Sequence, residues 1–234
     1  MSGGPGATRM AICAAVLCAA FVDPAEAQWI GRTAPHTGSV EVSGGALWSN
    51  GFDLGDSTAE ETRNINSGTG PFGLFSTSSR LAPAPGGVGR LSVYVTRDLA
   101  IEAGVEYARP QIRTRVSDDA EGADAVTATE RIARYVFNGS VVWHLPPLTF
   151  AGGKGVPFVL GGGGYLRELH EGNELLETGR EYHAGAGLKY WFGDSRQRLG
   201  LRADVQISMR KGGVNFGTTR RAVPTGSLSL AYLF

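Results

Sequence analysis

Cysteine is almost absent from this 234-residue chain, and both copies, Cys13 and Cys18, lie close to its start. We expect them to fall inside a cleaved signal peptide, so the mature chain would contain no thiol. A disulfide scaffold and a thiolate metal site are therefore excluded. The His, Asp and Glu residues show no metal-ligand spacing either, so we expect no metal and no cofactor.

Long hydrophobic runs are also scarce. The run from Met10 to Val22 is shorter than the roughly 20 residues that a membrane-spanning helix needs. Arg9 precedes this run and Ala25-Glu26-Ala27 follows it, and both features are typical of a secretory signal peptide. We expect residues 1–27 to be that signal peptide, residues 28–38 to be an N-terminal periplasmic segment, and residues 39–234 to form one barrel domain.

The chain also has no excess of positive or negative charge, because 22 Lys and Arg residues balance 22 Asp and Glu residues. The composition therefore does not indicate a nucleic-acid partner. Mean hydropathy is close to zero, which on its own resembles the value of a soluble protein. Transmembrane strands give the same mean, because apolar residues that face lipid alternate with polar residues that face a lumen.

The chain does contain segments in which apolar and polar residues alternate with a period of two. From Leu199 to Met209 every second residue is apolar, and Arg202 and Asp204 are among those between. A run of about eleven residues is long enough to cross a bilayer as a tilted strand. With seven weaker segments of the same kind, this pattern predicts an all-β fold, an eight-stranded antiparallel up-and-down transmembrane β-barrel. The seven segments begin near Val40, Leu91, Leu99, Ile132, Phe158, Tyr182 and Leu228.

The connections between the predicted strands alternate in length. Thr96–Asp98 and Gly193–Arg198 are short, as expected on the periplasmic side of an outer-membrane barrel. The connection from Leu145 to Pro157 is long although it falls on the short side, and the alternation does not explain it. Longer polar loops are expected on the other side, at residues 50–87, 117–126, 168–180 and 211–220.

Aromatic residues fall at the ends of the predicted strands, where amphipathic rings favour the headgroup zone. Such a distribution predicts two girdles around a membrane-spanning barrel. The turn-side girdle would contain Trp143, Phe158, Phe192 and Phe234, and the loop-side girdle would contain Trp48 and Tyr182.

Three segments resemble the OmpA-like outer-membrane β-barrel domain family of Gram-negative bacteria: Pro157–Tyr165, Gly185–Tyr190 and Leu199–Asp204. The resemblance extends from about Ser39 to Phe234. It implies a barrel in the cell outer membrane, in contact with membrane lipid and lipopolysaccharide. The end of the chain is similar to the family's C-terminal assembly signal, which implies insertion by the barrel-assembly machinery. That signal would consist of Leu228, Leu230, Tyr232 and Phe234.

The predicted phase of the strands places charged side chains inside the barrel. An eight-stranded barrel is narrow, and its interior is roughly filled by side chains. The inward charges are therefore interpreted either as a buried ion-pair network or as the gate of a low-conductance ion pathway. The expected lumen residues are Glu41, Arg90, Glu102, Glu106, Arg134, Lys189, Arg202, Asp204 and Arg210.

Basic residues near the last long loop offer a second kind of site, because they could pair with lipopolysaccharide phosphates. An enzyme would need a nucleophile, a base and an orienting group. His183 with the nearby Glu181 is the only candidate, so we expect no catalytic residues. The basic residues of the loop are Arg210, Lys211, Arg220 and Arg221.

Three classes of function remain open. The preferred one is a monomeric outer-membrane protein with a structural or surface-interaction role. A small gated porin-like channel or transporter is the second, and a soluble, secreted lipocalin-like binding barrel is the third. The soluble barrel requires the opposite phase, with Leu201, Val205 and Ile207 inside and Arg202 and Asp204 outside.

Overall fold

A computed structural model of the protein describes residues 35–61, 72–170, 176–192, 199–213 and 221–234. The expected signal peptide, residues 1–27, lies outside the described residues, as do residues 28–34 of the segment that follows it and the predicted turn at 193–198. Among the described residues, no helix is both long and apolar enough to cross a membrane.

The described residues form eleven strands, and eight of them close into a barrel. The strands are β1 (Val40–Ser49), β2 (Phe52–Glu61), β3 (Phe72–Leu81), β4 (Ala84–Tyr94), β5 (Leu99–Ala108), β6 (Gln111–Ser117), β7 (Val126–His144), β8 (Gly155–His170), β9 (Leu176–Trp191), β10 (Leu199–Gly212) and β11 (Arg221–Leu233).

The barrel consists of β1, β4, β5, β7, β8, β9, β10 and β11, and each of these strands pairs antiparallel with the next. Pairing of β11 with β1, from Glu41 opposite Leu233 to Ser49 opposite Thr225, closes the cylinder. Closure leaves no free edge in the barrel, as a sheet that crosses a bilayer requires. The predicted eight-stranded up-and-down barrel is confirmed.

Strands β2, β3 and β6 extend the structure beyond the loop-side end of the barrel. They form a sheet with the first residues of β7, in the order β2-β3-β6-β7. The prediction of one polar loop over residues 50–87 is therefore wrong, since that range holds β2, β3 and the start of β4. These strands are rich in Ser and Thr, which resembles a loop in the sequence, yet Leu54 and Leu81 give them a buried face.

Local structure accounts for the long connection between β7 and β8. A short 3-10 turn covers Pro146–Leu148. Phe150 and Gly155 then exchange two backbone hydrogen bonds around a tight turn. Gly152 and Gly153 lie in that turn with φ of 69° and 84°, a conformation that favours glycine. Strand β8 consequently begins at Gly155, three residues before the position expected from the sequence.

The outward face of the barrel is apolar. Val205 and Ile207 are 67% and 56% exposed, whereas Arg202 and Asp204 are buried. The phase predicted for β10 is thus confirmed, and it is the reverse of what a lipocalin-like barrel needs. Soluble monomers rarely expose a continuous apolar surface of this kind. The surface includes Val42, Leu91, Ile101, Val105, Phe137, Val141, Leu228 and Leu230, which are all exposed.

Aromatic girdles are present on both sides, with one correction. Trp48 and Tyr182 are exposed on the loop side, and on the turn side Trp143, Phe192 and Phe234 are exposed. Phe158 is only 1% exposed and lies inside the barrel, so its assignment to the turn-side girdle is wrong. The start of β8 is apolar on both faces and runs into four glycines, so alternation carries no information about phase there.

Candidate functional site in the barrel lumen

The nine expected lumen residues all lie on the inward face of the barrel strands, with exposed fractions between 0% and 6%. Their inward direction follows from strand geometry, because successive side chains point to opposite faces. They do not form one continuous network. They lie in three layers, which we call the turn-side, central and loop-side layers.

Two arginines and two carboxylates make up the central layer. Arg202 donates from both terminal nitrogens to the Glu102 carboxylate, and its Nε lies 3.2 Å from Asp204 Oδ2. Arg90 Nη2 lies 3.2 Å from Asp204 Oδ1, and Arg90 Nε lies 3.6 Å from Glu102 Oε1. Both carboxylates are therefore shared by both guanidinium groups, and the four formal charges cancel.

Small polar side chains complete the hydrogen bonds of the central layer. Ser92 donates to Glu102 at 2.7 Å, while Ser227 and Gln206 each donate to Asp204 at 2.8 Å. Because buried ions are costly when their remaining hydrogen bonds are unmade, these contacts stabilise the charges in the lumen. Serine and glutamine are also small enough to fit beside two arginines in a narrow barrel.

The turn-side layer contains an ion pair within apolar surroundings. Lys189 Nζ lies 2.6 Å from Glu41 Oε2, and the Tyr94 hydroxyl donates to the same oxygen at 2.7 Å. Lys189 Nζ is also 5.6 Å from the centre of the Phe158 ring, within the range of a cation–π contact. A buried apolar cluster encloses this pair and consists of Tyr94, Ala100, Val142, Val156, Phe158, Leu160, Trp191, Ala231 and Leu233.

The loop-side layer holds two further ion pairs. Arg134 Nε lies 2.6 Å from Glu168 Oε1, and Arg210 Nε lies 3.0 Å from Glu181 Oε2. Glu106, the remaining expected residue, accepts a hydrogen bond from Asn138 Nδ2 at 3.4 Å. The nine residues thus include five cations, each with a carboxylate within 4 Å, and one carboxylate, Glu106, for which the described residues provide no ion pair.

Glu168 and Glu181 are site residues that the sequence reasoning missed. Glu168 was expected in a loop, but it lies on β8 and is buried on the inward face, as Glu181 is on β9. Both were missed because the strands are longer than the sequence pattern predicted: β8 continues to His170, and β9 begins at Leu176 rather than near Tyr182. Alternation continued from the outward Tyr165 places Arg167 on the outward face and Glu168 on the inward face.

The lumen ends in a second apolar cluster on the loop side. It consists of Leu54, Leu81, Ile112 and Ile132, with Phe52 packed against it, and most of these residues come from β2, β3 and β6. Two cavities near this end have volumes of about 10 Å³, so each has room for about one water molecule. The nine inward charged side chains are at most 6% exposed, so side chains occupy the lumen between the two apolar clusters.

His183 shows part of the arrangement of a hydrolase. Its Nε2 lies 2.8 Å from Ser140 Oγ, and its Nδ1 faces Glu181. The Nδ1–Oε1 distance is 3.8 Å, too long for the hydrogen bond that orients a catalytic histidine. Arg210 also pairs with Glu181, and all three side chains are enclosed in the lumen. The arrangement thus lacks both the orienting bond and a route for substrate.

We predict that a fluorophosphonate probe does not label the protein, because Ser140 is buried and His183 is not positioned as a base. The measurement is in-gel fluorescence after incubation of the folded protein with the probe, with an active serine hydrolase in the same tube as a positive control. Labelling of the wild-type protein that disappears in Ser140→Ala would contradict the prediction.

The basic residues expected at the rim are not brought together. Arg210 lies in the lumen, and the half-buried Arg221 donates to the Leu54 carbonyl at 2.8 Å. Lys211 is exposed on the outward face, and Arg220 lies outside the described residues. Within the described ranges, no cluster of three His, Cys, Asp or Glu residues has the geometry to hold a metal ion.

Comparison with known proteins supports the fold. No protein-family model matches the chain, and no curated protein matches it significantly. Among solved structures, the outer membrane protein OprG from Pseudomonas aeruginosa is similar, with 11% identity, a TM-score of 0.55, and coverage of 85% of this chain and 97% of OprG. Neisserial surface protein A is similar with 11% identity, a TM-score of 0.50, and coverage of 84% and 97%. The chain therefore has the fold of an eight-stranded outer-membrane β-barrel.

Proposed function

We propose that this protein is an integral component of the bacterial outer membrane, with a structural or surface-interaction role and no transport through its lumen. The observation that carries the proposal is the filled lumen. The central and loop-side charged layers lie between apolar clusters at both ends, and the turn-side ion pair lies within one of these clusters. A barrel filled in this way acts as a rigid anchor that presents its loop-side strands β2, β3 and β6 to the cell exterior.

We also propose that the barrel belongs with the OmpA-like domains and is inserted by the barrel-assembly machinery. The three segments that resemble this family and the alternating C-terminal residues support the proposal. Leu228, Leu230, Tyr232 and Phe234 all face outward and are exposed. They are thus available to an assembly partner before lipid covers them. Closure of the barrel within one chain supports a monomer.

The proposed role is not enzymatic and requires no cofactor. Support comes from the enclosed position of His183 and Ser140 and from the long Nδ1–Oε1 distance to Glu181. Barrels that act on membrane lipids need their reacting groups where a lipid can reach them. In this barrel the outward face between the two girdles consists of apolar and aromatic side chains instead.

Planar-bilayer recording tests the proposal. We expect wild-type protein to give the same current as a protein-free bilayer, because no ion fits past the side chains of the turn-side cluster. Phe158→Ala, which removes a ring from the lumen, should increase the current, whereas Phe137→Ala on the outward face should not. Gel mobility before and after heating reports the folded fraction of each variant. Discrete current steps from the wild-type protein would favour the gated channel instead.

A further inference from the structure

Basic residues form a ring segment on the outward face, immediately above the apolar surface on the loop side. We define the basic belt as Arg109, Arg131, Arg167, Arg180 and Lys211, all of which are exposed. They come from β7, β8, β9 and β10 and from the residue that follows β5. These strands are consecutive neighbours in the barrel wall, so the belt is continuous around this arc.

The position of the belt along the strands is the same on four of the five. Arg167 follows the outward Tyr165 by two residues, and Arg180 precedes the outward Tyr182 by two. Lys211 follows Met209 by two residues, and Arg109 follows Tyr107 by two. Two residues of a strand span about 7 Å. These four charges therefore lie just beyond the last outward side chain of their strands, at the depth of lipid headgroups. Arg131 lies farther toward the loop side, where β7 pairs with β6.

Neighbouring strands bring these charges together. Arg180 pairs in register with Lys211 on one side and with Tyr165 on the other, and Arg167 is two residues beyond Tyr165. Farther around the arc, Arg109 donates to the Tyr107 hydroxyl, and its guanidinium lies 5.8 Å from the centre of that ring. The Tyr107 ring thus holds Arg109 next to the apolar surface.

Acidic residues of the same strands are all on the other face. By alternation, no carboxylate of the described parts of β7, β8, β9 and β10 points outward. Glu168 and Glu181 point into the lumen, where Arg134 and Arg210 bind them. Within the ranges described, Arg167, Arg180 and Lys211 have no ion-pair partner. Among the described residues, the outer surface at this level is therefore positive and has no compensating carboxylate.

The turn-side rim differs in this respect. Arg97 and Lys154 are the only Lys or Arg residues in its described part, and they belong to separate turns. Solubility, or attraction to membranes in general, would not require basic residues to be concentrated at only one of the two rims. The charge is concentrated on the side whose leaflet, in the proposed orientation, is built from phosphorylated glycolipid.

We infer that the basic belt is a binding surface for the phosphate groups of the outer-leaflet glycolipid, the lipid A portion of lipopolysaccharide. The inference rests on the proposed location in the outer membrane. Guanidinium groups bind phosphate through paired hydrogen bonds, and the acyl chains of the same molecule would lie against the apolar surface below. The belt and the apolar surface together match a ligand that is anionic at one end and apolar at the other.

The test is a lipid titration of the folded full chain in zwitterionic detergent micelles. The ligands are bisphosphorylated lipid A, dephosphorylated lipid A and phosphatidylglycerol, and the measured quantity is the Kd. One basic residue near a membrane surface contributes about fivefold. We therefore expect the variant that combines Arg167→Gln, Arg180→Gln and Lys211→Gln to bind bisphosphorylated lipid A about 100-fold more weakly than wild type.

A matched pair of single variants controls for net charge. Arg180→Gln in the belt should weaken binding about fivefold, and Arg97→Gln on the turn side should leave the Kd unchanged. Equal binding by wild type and the triple variant would overturn the inference, as would equal affinity for dephosphorylated lipid A or for phosphatidylglycerol. The heat-dependent gel shift shows separately whether each variant forms a barrel, so loss of the fold, which would count against the proposed function, is distinguished from loss of binding.

Discussion

Val205→Arg is expected to lower the free energy of unfolding of the barrel in lipid bilayers by about 2–4 kcal/mol. Val205 lies near the middle of β10, on the outward face, between Ala186 of β9 and Gly226 of β11. An arginine at this position would lie deep in the apolar part of the bilayer, far from either headgroup region. Urea-induced unfolding in phosphatidylcholine vesicles, followed by tryptophan fluorescence, measures the change.

Val205→Leu is the matched control, since it alters the size of the same side chain and keeps it apolar. We expect its effect to stay within about 0.5 kcal/mol, as for most exposed substitutions. In cells, Val205→Arg should also reduce the amount of heat-modifiable barrel in the outer-membrane fraction. If the two variants unfold at the same urea concentration, the outward face of β10 does not contact lipid and the membrane assignment is wrong.

The faces of a strand could be predicted from the sequence wherever its two sets of alternating residues differ in polarity. In β5, Ile101 and Val105 alternate with Glu102 and Glu106, and the structure places the first pair outside and the second inside. A one-residue shift would put carboxylates into lipid, so only one phase is energetically acceptable. For such strands the sequence contains both the direction and the depth of each side chain.

Strand β8 shows where this reasoning stops. Phe158 and Leu160 point inward, Val159 points outward, and Gly161–Gly164 carry no side chain that could show a preference. Alternation had no contrast to detect, so Phe158 was assigned to the wrong face. Glu168 was missed for another reason, because β8 continues four residues beyond Leu166, to His170. Strands β2 and β3 were not predicted for a related reason. Most of their residues are polar, and their few apolar side chains become buried only through contact with β6 and β7.

The partners of the lumen charges could not be predicted either. Alternation shows that Glu102 and Arg202 both point inward, but β5 and β10 are not adjacent in the barrel wall. Their contact across the lumen depends on strand tilt and stagger. These quantities are fixed by the register of all eight pairings together and leave no local trace in the sequence. The composition of the lumen was therefore predictable, and its three-layer arrangement was not.

Breaking the central ion pair should have the largest effect on stability. Glu102→Met is expected to lower the free energy of unfolding by about 3–5 kcal/mol. It would leave Arg90 and Arg202 buried with Asp204 as their only close carboxylate. Arg202→Met should cost a similar amount, because Glu102 and Asp204 would then share Arg90 alone. The same urea titration in phosphatidylcholine vesicles measures both variants.

The double variant with Glu102→Met and Arg202→Met distinguishes a structural network from a working gate. It removes one charge of each sign, and Arg90 and Asp204 remain as a neutral pair, 3.2 Å apart. Replacement of a buried ion pair by apolar residues of similar volume is often neutral or stabilising. We therefore expect the double variant to unfold near the wild-type urea concentration, with a coupling energy close to the sum of the costs of the two single variants. Single variants that cost less than about 1 kcal/mol, typical of solvated ion pairs, would mean that water reaches these side chains. Hydration of the central layer is what ion conduction requires and what a dry structural core excludes.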